Sequence, residues 1–307
     1  MDLAIVIVNY NTCDHLRNCL ESLQEAVDGI DHKVIIVDNC SSDGSAAMVR
    51  SEHPWVHLVI ESDRNGGYAF GNNLGLQAIG YGSGDLRPEV VVGYVLLLNP
   101  DTVVPSEGLG KMLAFMEANP DVGVAGPKLV REDGSLDKAC RRSFPTPQVS
   151  FYRFSGLARL FPKSRRFGRY NLDYLDVDSR ADVDSVVGAF MLIRSEALQQ
   201  AGLLDEAFFM YGEDLDLCFR IKQHGWRVVY NPEVTVLHLK GAASRRSSRR
   251  AIAAFYDAMR IFHNKHYRSQ SCFLANWLID LGIVLLREWA LLRDRLRPAQ
   301  EKRVASA

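Results

Sequence analysis

Residues 210–220, MYGEDLDLCFR, place three carboxylates, Glu213, Asp214 and Asp216, within four positions. Leu215, Leu217, Cys218, Phe219 and Ile221 stand among and after them, which gives the segment an apolar face to set against a core. Acidic residues in the first turn of a helix are stabilised by its free N–H groups and its macrodipole. A helix here would begin after Gly212, run to about His224 and stop at Gly225. A partly buried carboxylate among carboxylates can also have a raised pKa and serve as a general base. The segment alone suits either role.

Further polar residues fall where the strand signals end. LAIVIVNYN closes on Asn9, Tyr10 and Asn11, KVIIVDN on Asp38 and Asn39, and VVGYVLLLNPDT on Asn99, Pro100 and Asp101. Each alone reads as a turn. Three such ends at one edge of a sheet suggest a nucleotide-sized crevice, because open α/β sheets bind ligands beyond the carboxyl ends of their strands. Asp38 can bond a ribose or a base edge. Asn99 and Asp101 flank Pro100 and offer oxygen ligands for Mg2+ or Mn2+ shared with a diphosphate. His238, closing VTVLHLK, can add a nitrogen, although a lone strand-end histidine is more often structural. NGGYAFGNN, with Asn65, Gly66 and Asn73, follows the third strand, whereas the first βα turn, NYNTCDH, has no glycine. That is the wrong place for a dinucleotide fingerprint. The glycines can instead let the backbone approach a ligand closely.

The elements that would position these groups alternate. Strand and helix signals succeed each other over the first hundred residues, which predicts a parallel sheet covered by helices on both faces. After Pro127 the rhythm breaks, and residues 140–181 read as a long surface excursion rich in aromatic and basic residues, partly helical. VDSVVGAFMLIR, SEALQQAG and WRVVYNPEVTVLHLK resume the pattern as strand, helix and one or two strands. Residues 273–292, FLANWLIDLGIVLLREWALL, have the length of a membrane span but carry Asp280, Arg287 and Glu288, which are costly at a bilayer centre. An interfacial helix with Trp277 and Trp289 at headgroup level and Arg293, Arg295 and Arg297 on anionic lipid fits better. A helix packed on the body or on a second subunit is the alternative.

Composition agrees with a globular chain of 307 residues, 47% hydrophobic and 24% charged. Residues 1–239 hold 22 Lys+Arg against 32 Asp+Glu, and residues 240–307 hold 14 against 5, an acidic body with a basic tail. The six cysteines show neither CxxC spacing nor a small-domain framework, and no signal peptide is visible, which together favour a reducing cytoplasm.

In this order IVIVNYN, VIIVDNCSSDGS, LLLNPDT, FFMYGEDLDLCFRIKQHGW and VLHLKGAAS resemble glycosyltransferase family 2, over roughly residues 3–243. The similarity is greatest to the rhamnosyltransferase-like branch. The resemblance implies an α/β GT-A fold, Rossmann-like and mostly parallel, with a C-terminal helical tail. Its division would be a catalytic domain at 1–243, nucleotide-binding over 1–126 and acceptor-binding over 127–243, followed by a basic amphipathic tail at 244–307. It implies an inverting, metal-dependent transfer of a sugar, plausibly L-rhamnose, in the synthesis of bacterial cell-surface polysaccharide. Asp214 would be the general base, and Asp101 and His238 the ligands of Mg2+ or Mn2+. Asn9, Tyr10, Asn11, Asp38, Asn65, Gly66, Asn73 and Asn99 would bind the donor, with Asn99 standing where the metal motif has its first aspartate. Glu213, Gly188 and Trp226 would face the acceptor. The loop at 244–250 could close over the donor diphosphate, and Lys163, Arg165, Arg166 and Arg169 could meet an acceptor diphosphate. The implied partners are a nucleotide-sugar donor (dTDP-rhamnose or a UDP-sugar), a lipid-diphosphate-linked glycan acceptor and an anionic membrane surface. A homodimer is an alternative use of the tail, no nucleic acid is implied, and the expected location is the inner face of the plasma membrane. A nucleotidyltransferase, or a binding protein on the same scaffold, are the competing readings.

Overall fold

The computed structural model describes residues 2–82, 92–239 and 248–296. Buried β-branched runs form the inner strands β1 (Leu3–Asn9), β2 (His32–Asp38) and β4 (Tyr94–Leu98), with β3 (Leu58–Glu61) outside them. Helices α1 (Cys13–Ala26), α2 (Ser45–Glu52), α3 (Tyr68–Ala78) and α4 (Gly108–Ala118) alternate with these strands, as their apolar spacing predicts. β5 (Thr102–Val103) and β6 (Val122–Val130) follow. The excursion holds two short helices, α5 (Pro147–Phe154) and α6 (Leu157–Leu160). β7 (Ala181–Asp182), β8 (Phe190–Arg194), α7 (Ser195–Ala201), α8 (Glu213–Gln223) and β9 (Arg227–His238) complete the body. Two tail helices follow, α9 (Ser248–His266) and α10 (Phe273–Leu296).

The strands make one nine-stranded sheet in the order β3-β2-β1-β4-β8-β6-β9-β5, with β7 also on β9. β1, β2, β3 and β4 are parallel, β8 is antiparallel to both β4 and β6, and β6 is parallel to β9. The strand β6 went unread in the sequence because Gly123, Gly126 and Pro127 look like breakers. The structure explains each of them. The register against β9 shifts between Pro127 and Lys128, a bulge that absorbs the missing N–H. A Cβ at Gly126 would stand 2.7 Å from Val186, so only a residue without one lets that chain pass. The expected division after residue 126 falls inside β6, and the one after 243 lies outside the described residues.

The tail is built onto the body. Phe208 and Leu215 pack with Ala258 and Phe262 of α9, and Ile252 and Tyr256 of α9 pack with Ile283 of α10. No helix among the described residues is long and apolar enough to cross a membrane. Asp216 is a fully buried hub. It accepts from Arg220 Nε at 2.8 Å, an (i, i+4) pair on the same helix, and from His266 Nε2 at 2.8 Å and Lys265 Nζ at 2.9 Å. Burial works against its ionised form, but the hydrogen bond to His266 and the charges of Arg220 and Lys265 outweigh it and bring the pKa down to about 2.

Asp216→Asn should therefore cost about 3–5 kcal/mol near neutral pH, the usual loss when one partner of a buried ion pair is removed. The folded pKa lies below the ordinary 3.8, so the carboxylate's contribution is complete above that value and fades as pH falls toward 2. Thermal melts of the two proteins should differ most near neutrality and converge in acid. Equal melting temperatures at neutral pH would show that the hub stabilises nothing.

Candidate active site

The parallel register sets Asn9 directly beside Asp38 at the carboxyl edge of the sheet. Asn9 Nδ2 donates to Asp38 Oδ1 at 3.0 Å and to Ser41 Oγ at 3.1 Å, and its Oδ1 accepts from Thr12 Oγ1 at 2.7 Å. Ser41 N donates to Asp38 Oδ2 at 2.9 Å. Asn9 is thus fully buried and serves to hold Asp38 in one orientation. Asn11, at φ 53°, accepts from Ser42 N at 2.8 Å, while Tyr10 beside it is exposed.

The loop after β3 is tied to the same edge. Asn39 Nδ2 donates to Asn65 Oδ1 at 3.1 Å and to the Gly67 carbonyl at 3.0 Å, and Gly66 N donates to Asn39 Oδ1 at 3.2 Å. The close approach these glycines permit is to the protein itself. Gly67 sits at φ +94°, and a Cβ there would lie 2.2 Å from the Phe209 carbonyl oxygen. This contact seats the loop on the residues that lead into α8. Asn73, expected at the donor, is spent elsewhere. Its amide bonds the Leu204 carbonyl at 2.9 Å, Glu206 Oε1 at 2.8 Å and Leu204 N at 3.0 Å.

Asp101 follows β4, and pairing of Thr102 with His238 brings the two expected metal ligands together. His238 Nε2 lies 3.3 Å from Asp101 Oδ1, and its Nδ1 lies 2.9 Å from Asp137 Oδ2. Burial alone would lower the imidazole pKa, but hydrogen bonds and charges from Asp101 and Asp137 raise it to about 9. Burial likewise opposes ionisation of Asp101, and the neighbouring His238 more than reverses it, so its pKa is lowered. A histidine that presents one ring nitrogen beside a carboxylate while a second carboxylate fixes the other nitrogen is the usual support of a metal ligand. Among the described residues no three His, Cys, Asp or Glu side chains form a complete cage. Asn99 is half-buried near Asp101, its N–H on the Ala189 carbonyl at 3.0 Å.

Helix α8 supplies the acidic end of the site. Gly212 at φ +84° turns the chain into it, as the sequence indicates. Asp214 Oδ2 accepts from Arg142 Nη2 at 2.5 Å, with both side chains largely buried, and Asp214 Oδ1 accepts from Leu215 N at 2.7 Å. The raised pKa expected at this cluster falls on Glu213 instead. Burial first, then the Asp214 charge, push its carboxyl well above the usual range, and its Oε2 is buried with no hydrogen-bond partner. Tyr68 joins the two ends of the site. Its phenol donates to the Gly188 carbonyl at 2.7 Å, and burial followed by the charges of Glu213, Asp214 and Asp101 raises its pKa. Gly188, expected to face the acceptor, is thus covered by that ring, since a Cβ there would lie 2.7 Å from the phenol oxygen. Trp226 is not brought to the site at all. It precedes β9 at the opposite edge of the sheet and donates to Gln200 Oε1 at 2.8 Å.

Three residues of this group escaped the sequence reading. Asp137 lies in a turn with no periodic signal, Arg142 in a basic run with several equal candidates, and Tyr68 in a stretch that drew notice for its glycines. Residues 244–247 of the expected loop over the diphosphate lie outside the described residues.

A mixed sheet with helices on both faces, carrying an aspartate after a central strand and a histidine on a late one, has the architecture of the GT-A fold. A family model described as "Glycosyltransferase like family 2" matches residues 2–256, and the chain belongs to that family. It is 28% identical over 306 residues to the N-acetylglucosaminyl-diphospho-decaprenol L-rhamnosyltransferase of Mycobacterium tuberculosis, covering 98% of this chain and 96% of that one. It is 28% identical over 238 residues to the rhamnosyltransferase WbbL of Escherichia coli, covering 76% and 82%. Among solved structures, S. aureus TarS 1-349 superposes with a TM-score of 0.56 at 15% identity, over 95% of this chain and 73% of that one. The mannosyltransferase PcManGT from Pyrobaculum calidifontis, solved with GDP-Man and Mn2+, gives 0.55 at 18% identity, over 94% and 72%. These likenesses establish the fold.

Removing the charged oxygen ligand tests the centre. Asp101→Ala should abolish the part of nucleoside diphosphate affinity that depends on Mg2+ or Mn2+, measured by calorimetry with and without the cation. An unchanged metal-dependent affinity would take Asp101 out of the site.

Proposed function

We propose that the protein transfers L-rhamnose, with inversion, from dTDP-rhamnose or a related UDP-sugar to a hydroxyl of a lipid-diphosphate-linked glycan in bacterial cell-surface polysaccharide synthesis. The observation that carries the proposal is that one buried phenol, Tyr68, feels the charges of Glu213, Asp214 and Asp101, with Asp101 in turn 3.3 Å from His238. Such a site can hold a diphosphate at one end and an attacking hydroxyl at the other. The names of the relatives support the sugar and the acceptor class.

In this reading Asp38, fixed by Asn9 and Ser41, bonds the ribose or base. Asp101 and His238, with Asn99 beside them, would hold Mg2+ or Mn2+, and such an ion would supply positive charge to a diphosphate leaving group. Asp214 takes the proton of the acceptor hydroxyl as that oxygen attacks the anomeric carbon on the face opposite the leaving nucleoside diphosphate. The proton ends on the Asp214 carboxylate, the new C–O bond forms, and the bond to the diphosphate breaks. Arg142, paired with Asp214 at 2.5 Å, holds its carboxylate in position. Glu213, held neutral by burial, offers a hydrogen bond on the acceptor side. The enzyme would work as a peripheral protein on the inner face of the plasma membrane.

Asp214→Asn should keep the fold and donor affinity, with a lower melting temperature because buried Arg142 loses its partner, while lowering turnover about 10²–10⁴-fold, the usual contribution of a general base. Near-normal turnover would move the proton transfer to another group. A nucleotide-binding protein without catalysis would show donor binding and no transfer in either form.

A further inference from the structure

The stretch 138–172 contains nine Lys and Arg residues and no Asp or Glu, in a chain whose net charge is −1. The structure divides these cations into two sets. The inner set is consumed by the protein. Lys138 pairs with Asp173 at 2.9 Å, and Arg141 donates to the Asp176 and Leu175 carbonyls at 2.6 and 3.1 Å. Arg142 pairs with Asp214, Arg153 lies over the Tyr170 ring at 4.2 Å, and Arg166 is held by the Tyr152 hydroxyl. The outer set is Arg159, Lys163, Arg165 and Arg169, all exposed, and among the described residues none has a carboxylate within ion-pair reach. Between and beside them stand large apolar side chains open to solvent: Phe151 at 62%, Leu160 at 69% and Phe161 at 48% exposure, with Phe154 on the same short helices.

This surface is built rather than loose. Thr146 caps α5 through Val149 N, Phe167 packs edge-on against Tyr152 with centroids 5.0 Å apart, and Phe161 lies 5.6 Å from Phe167. Arg166 donates to the Tyr152 hydroxyl at 2.8 Å and spans both rings. Unpaired cations interleaved with exposed aromatic and leucine side chains match one chemistry, an anionic lipid surface. There the apolar groups enter the headgroup boundary and the cations are drawn to the anionic headgroups. The surface is also rooted at the site. Arg142 N bonds the Ser185 carbonyl at 2.9 Å and Ser143 N the Tyr170 carbonyl at 2.9 Å, so both ends of the segment are pinned next to Asp214.

We infer that α5, α6 and the basic stretch to Arg169 form the face by which the enzyme docks on an anionic bilayer, presenting the acceptor side to lipid. The inference rests on the proposed lipid-linked acceptor only for its purpose, since binding to lipid is measured apart from transfer. Full-length protein is sedimented with phosphatidylcholine vesicles, with and without phosphatidylglycerol, at low and high salt. The wild type should bind only the anionic vesicles and release in salt. Arg159→Gln, Lys163→Gln, Arg165→Gln and Arg169→Gln together should lower the partition coefficient at least tenfold, and the four Lys or Arg interchanges at these positions should restore it. Phe151→Ser with Phe161→Ser should lower it independently of salt. Melting temperature and donor affinity should be unchanged in all of these.

Undiminished vesicle binding by the Gln variant overturns the inference. So does loss of binding only on Trp277→Ser with Trp289→Ser, which would place the lipid contact on α10. A Gln variant that loses transfer equally to a short-chain, water-soluble acceptor diphosphate would also overturn it, because these cations would then hold the acceptor itself. Vesicle binding that behaves as expected in a protein that transfers no sugar would leave this inference standing and remove the proposed function.

Discussion

Three carboxylates cannot be buried within one helical turn unless each is neutralised differently, and helix α8 does this three ways. Glu213 stays protonated, Asp214 is matched by Arg142, and Asp216 is matched by Arg220, Lys265 and His266. Removing a partner would leave an uncompensated charge in a low-dielectric setting, which costs several kcal/mol. The partners come from different parts of the chain, so the requirement fixes long-range structure. Arg142 draws the excursion to helix α8, and Lys265 with His266 draws in the tail. The charge cluster is therefore the point where three segments are fastened together.

That arrangement changes the meaning of the tail. The charge split between residues 1–239 and 240–307 suggested an appendage with a separate role. Helix α9 instead shares a hydrophobic cluster with α8 and supplies two of the three partners of Asp216. The carboxyl edge of the sheet is equally interlocked, since Gly67 meets Phe209 and Tyr68 meets Gly188, which joins residues far apart in sequence.

Much of this was legible from local pattern. Buried runs gave β1, β2 and β4, and the strand-end Asn9, Asp38 and Asp101 fall on one edge because parallel register aligns them. Gly212 and Gly225 bracket α8 as turn chemistry requires, both at positive φ. What could not be read depends on tertiary partners. The strand β6 hides behind Pro127 and two glycines whose use is visible only against Val186 and Trp226. Asp137 becomes informative only when β9 brings His238 to it, and Trp226 looked functional until the strand direction placed it at the far edge. The raised pKa was expected of the cluster as a whole, and at Glu213 it comes from burial and the neighbouring Asp214 charge, which depend on the folded packing.

The antiparallel strand β8 has a consequence for biosynthesis. It pairs along β4 from Tyr94–Arg194 to Leu98–Phe190, so β4 emerges from the ribosome roughly a hundred residues ahead of its neighbour. At about 5–20 residues per second, that leaves an apolar strand edge without its partner for some seconds during translation. An open edge of this kind is a template for wrong pairing. The nascent chain thus passes through an interval in which chaperone cover, or slow synthesis at the wrong place, decides its yield. Fragments ending before Phe190 would keep that edge permanently.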